Sequence, residues 1–342
     1  MKRIVEIDIL RAFATVLLLL HHAGIYQFEV YGVTLKVLLR TQIGLSLIGI
    51  FVFLSGFLLG YTIKHNPHLK LRDYYVRRVA KLYPPYIVAL ILFQVLLPVQ
   101  LESSDFWIHL FGLQILLAPA FSAPIITLWY FGLLIAFLLI IPIGLYKCKN
   151  IGSSILYLIA VFFLSYIIHE KYQIIEIRFF YYYWVFSLGG LIGRYNTKHT
   201  KLVTNPLSML VSSTILVLTA YRLFRSQSAY LVELHWGHIS WATAYMLSFI
   251  HLTYVAATKF KRFGWGERLT QLISRGSYFT YMFHRPVWSI MLLPLPIAEG
   301  PITFIIRFFI GSPLVIYLSG KLQPLYERAF VRRFGVSNKP ST

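Results

Sequence analysis

Three ionisable residues, Arg11, His21 and His22, interrupt an otherwise apolar stretch near the start of the chain, LRAFATVLLLLHHAG at residues 10–24. An arginine offers a fixed charge and a planar fork of donors suited to oxyanions, and an imidazole exchanges a proton near neutral pH. On a helix, the step from Arg11 to His22 is a net rotation of roughly 20° and a rise of about 16 Å, so the two share one face three turns apart. His21 is offset from His22 by about 80°. Asp8 stands three residues before Arg11 on that face, and a pair there would lower the cost of an intramembrane charge, about 2.5 kcal/mol upward. Two readings are open: a structural Asp8–Arg11 pair with histidines at the membrane interface, or a functional site.

A second group is basic. Arg77, Arg78 and Lys81 cluster in YYVRRVAKLYPPY, residues 74–86, where they either contact phosphate or serve only as topology determinants. Ser55, in LSGF, has no base adjacent in sequence, and small residues in a span favour helix packing over nucleophilic chemistry. His284, before Arg285 and Pro286, either lines a cavity or packs. The run FFYYYW at 179–184 is expected to form an aromatic belt at the outer interface. His235 and His238, spaced i and i+3, lack a third ligand and make a poor metal site, so no metal is expected. The single cysteine, Cys148, allows neither an intramolecular disulfide nor a cysteine metal or redox motif.

The elements that must position these residues follow from composition. With 58% hydrophobic and only 13% charged residues and a mean hydropathy of +0.67, the chain is too apolar for an ordinary soluble domain and reads as an integral membrane protein. At about 20 apolar residues per span, ten spans are expected, near 5–25, 42–62, 80–99, 126–146, 151–169, 177–195, 204–222, 238–257, 270–292 and 302–320. Apolar stretches recur to near the end, so residues 5–25 are expected to span rather than act as a cleaved leader. The shorter stretch 104–119 is expected to be an interfacial or re-entrant helix.

The net charge of +20 has no basic domain with interleaved aromatics, which argues against nucleic acid as a partner. Topology explains it better. With the N-terminus in the cytoplasm, the inner loops and tail hold 22 Lys and Arg, the outer loops six, and the spans four. That asymmetry supports ten spans with both ends inside.

Five segments, in order, resemble the acyltransferase-3 family of integral-membrane O-acyltransferases. IDILRAFATVLLLLHH is similar to its opening pattern of Arg, ten residues and His, with Arg11 and His22 in register. GIFVFLSGFLLG (49–60) resembles its second-span FxLSGF motif, and YYVRRVAKLYPPY its basic segment before Tyr-Pro. LWYFGLLIAFLLIIP (128–142) resembles the Trp-aromatic span of one branch, and SRGSYFTYMFHRPV (274–287) the late Ser-Tyr, Tyr, His-Pro segment. Two departures stand out. The family's usual Arg-x-x-Arg is here Arg78-Val-Ala-Lys81, which retains charge but not a second bidentate fork. Phe131 to Phe137 has no acid where another branch carries Ser-x-Glu.

With no long polar insertion or linker in the chain, the spans form one all-α polytopic membrane bundle over 1–320, followed by a basic cytoplasmic tail over 321–342, and the resemblance makes that domain an acyltransferase. It implies transfer of an acyl group, acetyl or a relative, from cytoplasmic acetyl-CoA or another acyl-CoA to a hydroxyl of a saccharide or glycolipid acceptor, in contact with membrane lipids. A neutral imidazole can take the hydroxyl proton as it attacks the thioester, which makes His22 the candidate base. Arg11 is too distant along the helix to reach the same atom; it holds the donor or fixes the helix through Asp8. Arg77, Arg78 and Lys81 are the candidate donor-phosphate site. A transporter or flippase for a lipid-linked saccharide is the competing expectation, because its cavity would also hold arginine and histidine. A non-catalytic scaffold is disfavoured by the register of Arg11, His22 and the basic segment.

Overall fold

A computed structural model of the chain describes residues 3–30, 33–97, 101, 103–195, 204–225, 234–261, 266–295 and 300–334. In chain order the helices are α1 (Val5–Ala23), α2 (Leu35–His65), α3 (Leu71–Leu96), α4 (Ser103–Leu110), α5 (Trp129–Lys147) and α6 (Ile151–Tyr172). There follow α7 (Ile177–Tyr195), α8 (Pro206–Arg225), α9 (Trp236–Phe260), α10 (Glu267–Leu292) and α11 (Pro301–Ala329), the last with a π-helical segment at Ile306–Gly311. A short antiparallel ladder, β1 (Glu29–Val30) on β2 (Val33–Thr34), lies between α1 and α2. The architecture is all-α, as expected.

Each of the ten expected spans falls on a long helix. Six of these, α2, α3, α5, α6, α8 and α11, are long and apolar enough to cross a membrane by themselves. The others are α1, α7, α9 and α10, and three of them, α1, α7 and α10, line the polar cavities described below. Helix α4 rises only about 12 Å, too little for a hydrocarbon core of ~30 Å. The chain after it turns back into the bundle, where Gln114, Ile115 and Ala118 are fully buried. It is tied to the α6–α7 turn, since the amides of Ile175 and Glu176 donate to the carbonyls of Leu116 (3.0 Å) and Ile115 (2.8 Å).

Glycines bring α2 and α7 into backbone contact. Gly56 and Gly60 on α2 lie against the backbone of Phe186 and Gly190 on α7, and Gly189 and Gly193 on α7 against that of Phe53 and Phe57 on α2, so backbones touch backbones, as small-xxx-small motifs allow. A Cβ on Gly60 would lie 2.0 Å from the Gly190 carbonyl oxygen, and one on Gly56 would lie 2.1 Å from that of Phe186. Gly60→Ala is therefore expected to cost about 1–3 kcal/mol through overpacking. Thermal unfolding in detergent measures this, with the exposed Gly152→Ala, whose Cβ meets only Asn150 Oδ1 at 3.5 Å, as an unaffected control.

One expectation changes. The 179–184 run is not an interface belt: Phe179, Phe180, Tyr181 and Tyr183 are completely buried, packed against Phe137 on α5 and Phe162 on α6. The Tyr183 hydroxyl donates to the Leu158 carbonyl (2.7 Å). The run covers more than one side of α7, and α7 is enclosed by neighbours, so its rings fill the core. Helix α11, meanwhile, continues past residue 320 to Ala329. It is held there because Gly276 of α10 lies against Ser319 and Gly320, and the Tyr326 hydroxyl donates to the Ala80 carbonyl of α3.

Candidate functional site

Two polar cavities lie at different depths of the bundle. The inner one, about 130 Å³, is lined by Arg11 of α1, Ser55 of α2, Arg78 and Lys81 of α3, Tyr130 of α5, Tyr281 of α10 and Gln323 of α11. The Arg78 guanidinium lies 5.2 Å over the Tyr74 ring. Lys81 Nζ pairs with Glu327 at 2.8 Å, and Gln323 Nε2 donates to the same carboxylate at 3.0 Å. Three cations thus face one described carboxylate. Arg77 does not line the cavity; one residue from Arg78, it is turned about 100° around α3. The Ser55 hydroxyl is spent on the carbonyl of Phe51, 2.8 Å away in its own helix.

The Asp8–Arg11 pair does not form. Asp8 accepts from Arg3 Nε (2.6 Å) and from the Ser274 hydroxyl (2.8 Å), which draws its carboxylate toward α10 and the chain start. Arg11 has no ion-pair partner among the described residues. It faces the inner cavity together with Arg78 and Lys81.

The outer cavity, about 410 Å³, is lined by His21, His22, Tyr26, Arg40, Thr127, Trp129, Arg178 and Arg285, among others. Helix α1 ends here because Gly24 adopts φ 106°, a left-handed conformation that terminates a helix. With the next turn missing, His21 and His22 both reach the cavity despite their angular offset. His22 Nδ1 lies 2.8 Å from His284 Nε2, with the two rings within 7° of parallel. His284 is completely buried, and its Nδ1 is 3.0 Å from the carbonyl oxygens of both Thr280 and Tyr281. Carbonyls only accept, so in the neutral pair His284 carries its proton on Nδ1 and accepts at Nε2. His22 must then donate from Nδ1, leaving a lone pair on Nε2.

His21 Nδ1 bonds to the Tyr26 hydroxyl, which burial holds in its protonated form by raising its pKa. Arg178 lies 4.9 Å over the Trp129 ring, and its Nε is 3.6 Å from Glu176 Oε1. The Arg178 backbone N–H donates to the other Glu176 oxygen at 3.0 Å. Burial raises the Glu176 carboxyl above its ordinary value, against the opposing pull of Arg178.

Aromatic rings separate the two cavities. Tyr130 and Tyr281 have centroids 5.0 Å apart with Phe51 beside them. The Tyr281 hydroxyl donates to the carbonyl of Thr127, a residue of the outer wall. Arg11 in one cavity and His22 in the other are about 16 Å apart along α1.

Sequence reasoning does not single out Arg40, Arg178, Arg285, Gln323 or Glu327 as site residues. Arg178 and Arg285 were visible only as charges to be counted. Glu327 carried a usable signal, as the single acid between residue 321 and the end. His235 caps α9, its Nδ1 accepting from the Gly237 amide at 3.2 Å. Among the described residues no three His, Cys, Asp or Glu gather as a metal site.

A bundle of long apolar helices that encloses cation-lined cavities and a paired imidazole defines a multi-pass membrane protein with an enzyme-like interior. The family model described as "Acyltransferase domain" matches residues 4–320. The chain belongs to that acyltransferase-3 family and is a membrane acyltransferase. No curated protein and no solved structure matches it.

Proposed function

We propose that the protein is an O-acyltransferase that moves an acyl group, acetyl or a relative, from cytoplasmic acyl-CoA to a hydroxyl of a saccharide or glycolipid. The observation that carries this reading is the chain from the Thr280 and Tyr281 carbonyls through His284 to His22, which leaves the His22 Nε2 lone pair for a substrate in the outer cavity. His22 takes the acceptor's hydroxyl proton as the oxygen attacks the thioester carbonyl. The C–S bond then breaks, and the proton passes to the departing thiolate, giving an ester and free CoA. His284 positions His22 by holding one tautomer.

The donor's phosphates belong in the inner cavity, where Arg11, Arg78 and Lys81 supply charge-assisted donors. From there the extended pantetheine arm runs outward along α1, past Phe51, Tyr130 and Tyr281, which must part to admit it. In this reading the donor site is Arg78 and Lys81 with Arg11 as their partner, supported by the place of all three in one cavity wall. Acyl-CoA turnover by the purified protein with a hydroxyl acceptor tests the activity. A transporter or flippase would bind saccharide and leave the thioester intact.

The proposed location is the cell membrane, with ten crossings and both termini cytoplasmic, supported by the 22 to 6 division of Lys and Arg. Cys148, in the α5–α6 turn, is then on the cytoplasmic side. An impermeant thiol reagent is expected to label it only after intact cells are permeabilised. Labelling of sealed cells would invert the topology.

A further inference from the structure

We infer that the acceptor carries an anionic group, a sugar carboxylate or a phosphate, which seats on the guanidinium groups of Arg40, Arg178 and Arg285 beside His22. This rests on the acyltransferase reading and specifies the second substrate of the same site.

Three arginines from three helices, α2, α7 and α10, converge on one cavity. No Asp or Glu is among its described lining residues. Arg178 meets Glu176 at 3.6 Å, longer than a close charge-assisted contact of about 2.7–2.9 Å. Burial further weakens Glu176 as a counter-charge by favouring its neutral form. Arg178 Nη1 is buried with no hydrogen-bond partner among the described residues, a state that costs about 1–3 kcal/mol. An oxyanion on the ligand would satisfy it.

A buried guanidinium such as that of Arg178 is costly within a membrane bundle, and an anion on the ligand lowers that cost. A neutral sugar would offset nothing, whereas a carboxylate or phosphate matches the planar fork of a guanidinium bidentately. The stack on Trp129 holds the Arg178 plane in place, so little freedom is lost on binding. The donor does not need these cations. Its phosphates have Arg11, Arg78 and Lys81, with the aromatic partition between.

The test uses the full-length protein in detergent. Titration calorimetry compares three probes of matched size, a glucuronic-acid oligosaccharide, a phosphorylated gluco-oligosaccharide and a neutral gluco-oligosaccharide, with acetyl-CoA binding measured in parallel. At least one charged probe is expected to bind about tenfold or more tighter than the neutral one, the scale of one charge-assisted contact. Which charged probe wins tells carboxylate from phosphate. Arg178→Gln should abolish that preference and Arg178→Lys retain part of it, while acetyl-CoA affinity stays at the parental value in both and reports a folded protein. Equal binding of all three probes, failure of both charged probes to bind, or loss of acetyl-CoA affinity in Arg178→Lys would overturn the inference. A parent that prefers the anionic probe yet neither binds nor turns over acetyl-CoA would instead sink the acyltransferase reading.

Discussion

Replacing His22 with alanine is expected to reduce acyl transfer by roughly 10²–10⁴-fold, the scale of a positioned general base, while acyl-CoA still binds. The two effects separate because the donor cations lie about 16 Å away along α1. The parent's rate should fall as pH is lowered, since a protonated ring cannot accept the hydroxyl proton. Variants of His284 test the tautomer. His284→Gln offers an amide oxygen that can accept from His22 Nδ1 and should keep part of the activity. His284→Leu removes the acceptor, leaves a buried N–H unsatisfied and releases the ring to its other tautomer, so its rate should approach that of the His22 variant. His21 differs: its Nδ1 is bonded to Tyr26 and it lacks the His284 relay, so His21→Ala should act chiefly on the acceptor KM. Parental turnover in His22→Ala would remove this residue from the mechanism. An acyl group trapped on Ser55 would replace direct transfer with a covalent route.

The second large effect is expected at the inner cavity. Removing a charge-assisted contact to phosphate costs about 1.5–3 kcal/mol, so Arg78→Ala and Lys81→Ala should each weaken acyl-CoA binding by about ten- to a hundredfold. Lys81→Ala also strips Glu327 of its cation at 2.8 Å. Pairing it with Glu327→Gln removes the stranded charge and isolates the donor contribution. Lys81→Arg should be tolerated, because a guanidinium can keep Glu327 and grip phosphate with its remaining donors. Arg77→Ala should change affinity little, since Arg77 is not in the cavity wall. Equilibrium binding in membranes with equal protein levels decides the matter: unchanged affinity in the Arg78 and Lys81 variants would reduce the cluster to a topology signal.

The amino-acid sequence carries the class of fold, because a bilayer imposes its thickness on any helix that crosses it and leaves runs of about 20 apolar residues as a legible trace. It placed Arg11 and His22 on one face, since helical rotation is the same wherever the helix packs. Its motifs also carried the family, through local patterns such as Arg, ten residues and His on the first helix, and FxLSGF on the second.

What it could not supply were partners distant in the chain. His284, 262 residues from His22, read equally well as packing, and Glu327 sat in a segment taken for a tail. Asp8 lay in reach of Arg11 by spacing, yet it turned to Arg3 and to Ser274, 266 residues away. The aromatic run on α7 looked like a belt because lipid and protein core are equally apolar, so hydrophobicity does not tell a helix's outer face from its inner one. For the same reason Arg40, Arg178 and Arg285 were three unrelated charges until the packing of α2, α7 and α10 aimed them into one cavity beside the free nitrogen of His22.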